Sequence, residues 1–147
     1  MSYTTDADLF SLIAARTLTQ LAADDPQAEA PEPLILAEAR AYADAQIDAR
    51  LRQRYPLPLA SVPRELKDWA LALARQWLYS RRPDGQELPS AVTQAAQEAL
   101  KALDAVRDGK ISLAVASIGG ETPVSEGARV QVVAPVRHFT ADLLSRY

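Results

Sequence analysis

The sequence offers few side chains that could do chemistry. His138 is its one histidine, and it has no cysteine. An imidazole titrates near neutral pH and can serve as a general base, but no motif places a serine or a carboxylate for it to work with. Sites built from several histidines or from thiolates are excluded outright. We therefore predict no catalytic residue, no cofactor-binding residue and no metal ligand, and we do not expect an enzyme.

Two short motifs bind small ligands in other settings. Asp24 and Asp25 offer two carboxylates in a proline-containing loop, which falls short of a calcium-binding pattern. The pair Gly119 and Gly120 does not open a helix, and the sequence lacks a phosphate-binding glycine loop. We interpret the first motif as a solvated loop and the second as a connection between apolar segments.

The arginines carry the strongest polar signal. The net charge of −3 gives no support to nucleic-acid binding by the chain as a whole. Residues 63–82, however, hold five basic and two acidic side chains (+3), whereas residues 1–30 hold five acidic and one basic (−4). These opposite charges serve either head-to-tail contacts between subunits, which close into rings, or solubility and local pairing within one chain. Arg50 and Arg54 share a helix face and could instead line a channel that holds DNA.

Hydrophobic periodicity predicts an all-α domain over residues 1–109. Apolar residues recur at helical spacing in four segments, and the alanines around them allow close packing of helices. Short polar residues, prolines and one glycine mark the helix ends. The four predicted helices run from Thr5 or Asp6 to Ala22–Asp25, from Pro33 to Arg54, from Pro63 to Arg81–Arg82, and from Pro89–Ser90 to a C-cap at Gly109.

Residues 110–147 are predicted to form a C-terminal arm with two short strands and a short terminal helix or turn. Every second residue from 111 to 115 is large and apolar, which is the period of a strand. The arm has too little apolar surface for a core of its own, so it packs either back onto the helices or onto another molecule, and we expect the second. The apolar positions of the arm that we expect to make this contact are Ile111, Leu113, Val115, Val130, Val132, Phe139, Leu143 and Tyr147.

Several stretches of the sequence resemble the small Mu-type phage and prophage proteins that complete the head or connect it to the tail. The most specific is the segment RYPLPL at 54–59, followed by Val-Pro at 62–63. The others are DAQID at 44–48, Leu-Lys at 66–67, Ala-Arg at 74–75, RRP at 81–83, GKISL at 109–113 and RHFTAD at 137–142. The alanine and leucine repeats of the helices add nothing specific to this resemblance.

The resemblance covers residues 5–117 and 137–147. It implies a four-helix adaptor-like bundle with an extended arm containing short β-strands, and it implies no enzymatic activity. Copies of such a subunit form a ring, with twelvefold symmetry in the family's usual arrangement, beneath the portal of a filled capsid. The implied partners are further copies of this chain, the portal protein, a stopper or tail terminator on the tail side, and genomic DNA in passive contact. The implied location is the head–tail interface of the virion, after synthesis in the host bacterial cytoplasm.

The expected interface residues combine the arginines with the apolar positions of the arm. No apolar run approaches the roughly 20 residues that span a bilayer, so no membrane partner is expected. The residues expected to contact another subunit or the portal are Arg50, Arg54, Arg81, Arg82, Ile111, Leu113, Val115, Val130, Val132, Phe139, Leu143 and Tyr147.

Two other functions are compatible with a helical chain. In a DNA-binding regulator, the third and fourth helices would form a helix-turn-helix motif. The connection 83–89 is long for such a turn, and Glu98, Asp104 and Asp108 make the fourth helix acidic. A small helical enzyme is disfavoured because no nucleophile, base or metal constellation is present.

Overall fold

The computed structural model describes residues 2–25, 27–81 and 88–115. Within these residues the chain forms five helices and no strand. The prediction of an all-α fold is thereby confirmed for this part of the chain. The helices are α1 (Asp6–Leu12), α2 (Ala15–Leu21), α3 (Pro33–Leu51), α4 (Arg64–Ser80) and α5 (Ser90–Arg107).

The prediction of one continuous first helix is wrong, because the chain breaks between α1 and α2. Ile13 is extended, with φ −116° and ψ 130°, and Ala14 has ψ 136°. In an unbroken helix, Leu9 and Leu18 would point in opposite directions, since nine residues at about 100° each rotate by half a turn. The break lets both leucines reach 0% exposure. Burial therefore dictates the break, and five helices replace the four that were predicted.

The core lies where α3 and α5 pack against α4, which also contacts α1. Alanines on the facing sides let these helices approach closely, since the distance between helix axes depends on the side chains at the contact. Six such alanines are at most 2% exposed: Ala39, Ala43, Ala70, Ala74, Ala96 and Ala99. Larger side chains with at most 3% exposure fill the space between them, including Leu36, Ile47, Leu51, Leu66, Leu73, Leu78, Leu103 and Val106.

The segment after α3 covers part of this core with turns and bends of the backbone. Tyr55 and Leu59 are 1% and 4% exposed, and Leu57 packs against the core from outside. The peptide bond between Leu57 and Pro58 is cis. This segment contains the most specific part of the resemblance, and it returns the chain to the start of α4.

A glycine cap ends α5, as predicted. Gly109 has φ +81°, its N–H bonds the carbonyl of Val106 at 3.1 Å, and the N–H of Lys110 bonds the carbonyl of Ala105 at 2.8 Å. This pair of hydrogen bonds is the Schellman motif, in which glycine adopts the left-handed conformation at little cost. The cap turns the chain back toward the core.

Residues 111–115 do not form the predicted strand. Leu113 and Val115 are buried, at 4% and 9% exposure, against the helices of the same chain, whereas Ile111 is 43% exposed. The N–H of Leu113 donates to the Tyr55 hydroxyl at 2.9 Å, in place of a bond to a partner strand. The segment bends, and the N–H of Val115 donates to the carbonyl of Leu113 at 2.7 Å, so the alternation reflects which side chains of an irregular segment are buried. The other predicted strand and the terminal helix or turn lie outside the described residues.

This packing predicts that a chain ending at Gly109 is less stable than one ending at Ala116. The shorter chain loses two buried apolar side chains, worth about 3 kcal/mol or more together, and the donor to the buried Tyr55 hydroxyl. We expect a clear fall in its melting temperature, measured by circular dichroism at 222 nm. Equal melting temperatures would show that residues 110–115 lie outside the folded body, as the predicted boundary at Gly109 has it.

Candidate subunit interface

Acidic side chains of α1 and of the loop after α2 pair with basic side chains of α3, of α4 and of the residue that follows α4. Asp8 contacts Lys67 Nζ at 2.7 Å, and Asp6 contacts Arg40 Nε at 2.9 Å. Asp24 pairs with Arg81, whose Nη1 also donates to the carbonyl of Leu21 at 3.4 Å. These contacts join parts of the chain that are far apart in sequence.

The charge separation seen in the sequence is therefore used, in part, inside one chain. Lys67 and Arg81 belong to the basic stretch 63–82, and their partners belong to the acidic stretch 1–30. Exposed ion pairs contribute little to stability, typically below about 1 kcal/mol each. They position the first two helices on the helical body, and head-to-tail contact through the remaining charges stays a prediction.

Asp8 completes a capping box at the start of α1. Its Oδ2 accepts the backbone N–H of Thr5 at 2.9 Å and the Thr5 hydroxyl at 2.8 Å. The hydrogen bond from Lys67, followed by those from Thr5, lowers the pKa of the Asp8 carboxyl to about 2. The same side chain thus caps α1 and ties it to α4.

Tyr3 is a buried anchor for the N-terminal residues. Its backbone N–H donates to Asp44 Oδ1 at 3.0 Å, and its hydroxyl donates to Asp48. Burial, with the adjacent Asp48 carboxylate, raises the pKa of the Tyr3 phenol, and burial also raises the pKa of Asp44. The two carboxylates stand one turn apart on α3, so they fix the chain ahead of α1 along that helix.

Arg50 joins the C-terminal ends of α3 and α5. Its Nε lies 3.1 Å from Asp104 Oδ1, and its Nη1 donates at 2.9 Å both to the carbonyl and to the side-chain oxygen of Gln46. Asp104 also pairs with Arg107 at 3.1 Å, one turn further along α5. These four residues hold two helix ends together at the surface.

Four residues beside this pairing define what we call the exit junction: Arg54, Tyr55, Gly109 and Leu113. Arg54 Nη1 donates to the carbonyl of Val106 at 3.4 Å and lies directly against Gly109, where a Cβ atom would collide with it. Tyr55 accepts the buried N–H of Leu113. Together the two side chains fix the position and direction of the chain as it leaves α5.

The structure brings together five of the twelve predicted interface residues. Arg50 and Arg54 lie at the C-terminal end of α3, beside the residues that follow α5. Of those, Ile111 is exposed, whereas Leu113 and Val115 are buried within the chain itself. Arg81 lies elsewhere, at the end of α4, bound to Asp24 and Leu21. The other six, Arg82, Val130, Val132, Phe139, Leu143 and Tyr147, lie outside the described residues, as does His138.

Several exposed apolar side chains were missed by the sequence analysis. Phe10 and Leu12, on α1, are 46% and 44% exposed, and they lie in an uncharged stretch, 9–15. Leu34 and Tyr42, on α3, are 70% and 38% exposed. All four lie outside the helical positions that form the buried faces. An apolar residue at such a position was the signal in the sequence that could have found them.

The described residues contain neither a cluster of metal ligands nor a membrane-spanning helix. Among those described, no group of three or more histidine, cysteine, aspartate or glutamate side chains is placed to hold a metal ion. None of the five helices is both long enough and apolar enough to cross a bilayer. The polar side chains found here join helices to one another and fix chain ends.

Comparison with known proteins places this helical chain among phage proteins. A family model described as "Bacteriophage Mu, Gp36" matches residues 3–132. The chain belongs to this bacteriophage Mu family, which confirms the resemblance at the level of the family. One of its relatives, Gene product J of Escherichia phage Mu, is 31% identical over 137 residues, which cover 92% of this chain and 94% of the relative.

The capping box predicts a pH dependence that centres on Asp8. A carboxyl whose pKa is lower in the folded chain stabilises the fold at pH values above its ordinary pKa, near 4, and this stabilisation is lost as the pH falls toward 2. We expect the free energy of unfolding to fall more steeply from pH 5 to pH 2.5 in the unmodified protein than in Asp8→Asn. Urea titrations across this range measure both slopes.

The matched control for this experiment is Asp68→Asn. Asp68 is exposed on α4 and pairs with no described residue. Its removal should leave the steep slope of the unmodified protein intact. Equal slopes for the unmodified protein and Asp8→Asn would contradict the role assigned to Asp8.

The exit junction predicts that a side chain at position 109 lowers the free energy of unfolding. Gly109→Ala places a Cβ against the Arg54 guanidinium and forces alanine to adopt φ +81°, so we expect a loss of about 1 kcal/mol or more. Combining it with Arg54→Ala removes the collision and leaves the backbone penalty. The double variant should therefore lose less stability than the sum of the losses in the two single variants. Urea denaturation of the unmodified protein and the three variants measures this, and strict additivity would count against the contact.

Proposed function

We propose that this protein is a structural head–tail connector subunit, or adaptor, of a tailed bacteriophage. Copies of it form a ring with the family's usual twelvefold symmetry beneath the portal, and the genome passes through this ring. Its partners are further copies of the chain, the portal protein, and a stopper or tail terminator on the tail side, with passive contact to DNA. It works by assembly and not by catalysis, at the head–tail interface of the virion.

The observation that carries this proposal is the family match over residues 3–132, together with the relative that aligns over nearly its whole length. Membership in a Mu phage family supports a structural or assembly role in a phage. The connector role rests on the more specific resemblance at 54–59 and 109–113. In the structure these two segments lie next to each other. Tyr55 of the first segment accepts a hydrogen bond from Leu113 of the second, and Arg54 donates one to Val106, three residues before the second begins.

The surface of the helical body suits a subunit that binds its neighbours through apolar contacts. Several of its charges are already paired within the chain, whereas Phe10, Leu12, Leu34 and Tyr42 expose apolar area to solvent. Burial of such area favours association in proportion to its extent. In this proposal the exposed apolar side chains supply contact with other subunits, and the ion pairs keep the first two helices in register with the body.

The regulator alternative gains no support from the described residues. Residues 81–89 separate α4 from α5, whereas a helix-turn-helix motif uses a turn of about three or four residues. Asp104 on α5 is occupied by Arg50 and Arg107, so this helix presents a paired and partly acidic surface. Such a surface does not suit a groove lined by phosphates.

The proposal is tested by deleting the gene and imaging the induced lysate by electron microscopy. We expect filled or leaking heads separated from complete tails, and full recovery of virions when the gene is supplied from a plasmid. Intact, infectious virions without the gene would overturn the connector role. A loss of phage transcripts with no assembled heads or tails would favour the regulator.

A matched pair of variants extends the test to the proposed contact surface. Leu34→Glu alters a side chain that is 70% exposed, so the fold should tolerate it. Ala91→Glu makes the same change at an exposed position on α5. We expect plasmid-borne Leu34→Glu to restore at least tenfold fewer virions than Ala91→Glu, measured as plaque-forming units. Equal recovery would remove Leu34 from the contact surface.

A further inference from the structure

The side of α4 that faces away from the core has an unusual composition. The buried residues Leu66, Ala70, Leu73, Ala74 and Leu78 define the inner side of this helix. Helical spacing places Ala72, Arg75 and Tyr79 on the opposite side, with Leu71 at its edge. All four are half-buried, and Leu71, Ala72 and Tyr79 pack against residues of the core. We call these four residues the α4 outer face.

This composition is confined to the second half of α4. One and two turns toward its N-terminus, the same side carries Asp68 and Arg64, and both are exposed. The helix thus changes from a charged, solvated side to a largely apolar side that contains a single arginine. Half-burial of a cation among apolar side chains is costly unless an acceptor compensates for it.

Arg75 lacks such an acceptor among the residues that the structure describes. Its guanidinium lies 5.8 Å from the centre of the Tyr79 ring, one turn further along the helix. Its Nε is buried and has no hydrogen-bond partner. A guanidinium offers a planar array of donors that a carboxylate fits in bidentate fashion. The outer face therefore calls for an apolar segment that carries a carboxylate.

The rest of the chain contains one segment of that kind. Outside the described residues, the acidic side chains are Asp84, Glu87, Glu121, Glu126 and Asp142. Asp142 alone has three large apolar side chains within four positions, namely Phe139, Leu143 and Leu144. The other four are surrounded by glycine, proline and small or polar residues, with at most two large apolar neighbours each.

We propose that residues 139–147 bind the α4 outer face of the same chain. The Asp142 carboxylate accepts hydrogen bonds from the Arg75 guanidinium, and the apolar side chains of the segment cover Leu71, Ala72 and Tyr79. This contact requires only one chain, so it is independent of the connector role. It would take the place of the contact with another subunit or the portal that the sequence predicts for Phe139, Leu143 and Tyr147.

The length of the connecting chain permits this contact. Residues 116–138 follow the last described residue, Val115, and could span about 75 Å when extended, which exceeds the diameter of a domain of this size. A tethered segment meets its own domain at an effective concentration of about millimolar, well above that of a second copy in a dilute solution. The tether therefore favours the chain's own segment over that of a neighbour.

The test uses cysteine pairs in the full-length protein, which has no cysteine of its own. Ala72→Cys lies on the outer face, and Ala141→Cys lies next to Asp142. We expect mild oxidation to yield a cross-linked monomer, seen as a faster band on a non-reducing gel. The control pair is Ala45→Cys with Ala141→Cys, because Ala45 is exposed on α3. Equal cross-linking of the two pairs would overturn the proposal, and cross-linked dimers would overturn its assignment to a single chain.

Charge reversal tests the proposed ion pair in the same cysteine background. Arg75→Glu and Asp142→Arg should each slow cross-linking about tenfold, as expected for the loss of a charge-assisted pair, and the double reversal should restore the rate. Arg64→Glu, on the same side of α4 but exposed, should leave the rate unchanged. Circular dichroism of each variant checks the fold. Single reversals with unchanged rates, or a double reversal with no recovery in folded protein, would contradict the pairing of Arg75 with Asp142.

Discussion

The close approach of α3 and α5 to α4 is the constraint on which the other contacts depend. It is possible because alanine lines the facing sides of the helices, and each larger side chain at those positions would push two helices apart. The hydrogen bonds and ion pairs between helix ends depend on this close packing. Arg50 reaches Asp104, and Tyr55 reaches the backbone of Leu113, because the ends of α3 and α5 lie side by side. The fold is thus set by small apolar residues, and the polar residues act within the geometry that those residues allow.

The polar side chains of the described residues mainly hold the subunit itself together. Asp8 and Asp24 attach the first two helices to α4, Tyr3 attaches the N-terminal residues to α3, and the exit junction fixes the chain after α5. A subunit built this way presents a defined shape to its neighbours. Specificity between copies would then depend on shape and exposed apolar area, with the unpaired charges in a secondary role.

The sequence was informative wherever the signal was local. Prolines at 33, 63 and 89 located the starts of the three long helices, and Gly109 located the end of the last one, to within about three residues. The break between α1 and α2 was missed because it depends on burying Leu9 and Leu18 together. The period-two segment after Gly109 was misread because a strand and an irregular segment with alternately buried side chains share one pattern. The ion pair of Asp24 with Arg81 joins residues 57 positions apart, which no local pattern reveals. The family, in contrast, was recognisable from short segments.

The exit junction also determines how the subunit would respond to tension. A pull on the chain beyond Val115 would be carried first by the buried Leu113 and its bond to Tyr55, and then by the C-terminal end of α3. The force would therefore not act directly on the glycine cap of α5. A helix pulled from its capped end alone would unwind one turn at a time. Because α3 is the longest helix and is buried along one side, the force would spread over the whole core. Leu113 and its bond to Tyr55 thus anchor the described part of the chain against a pull from the residues that follow Val115.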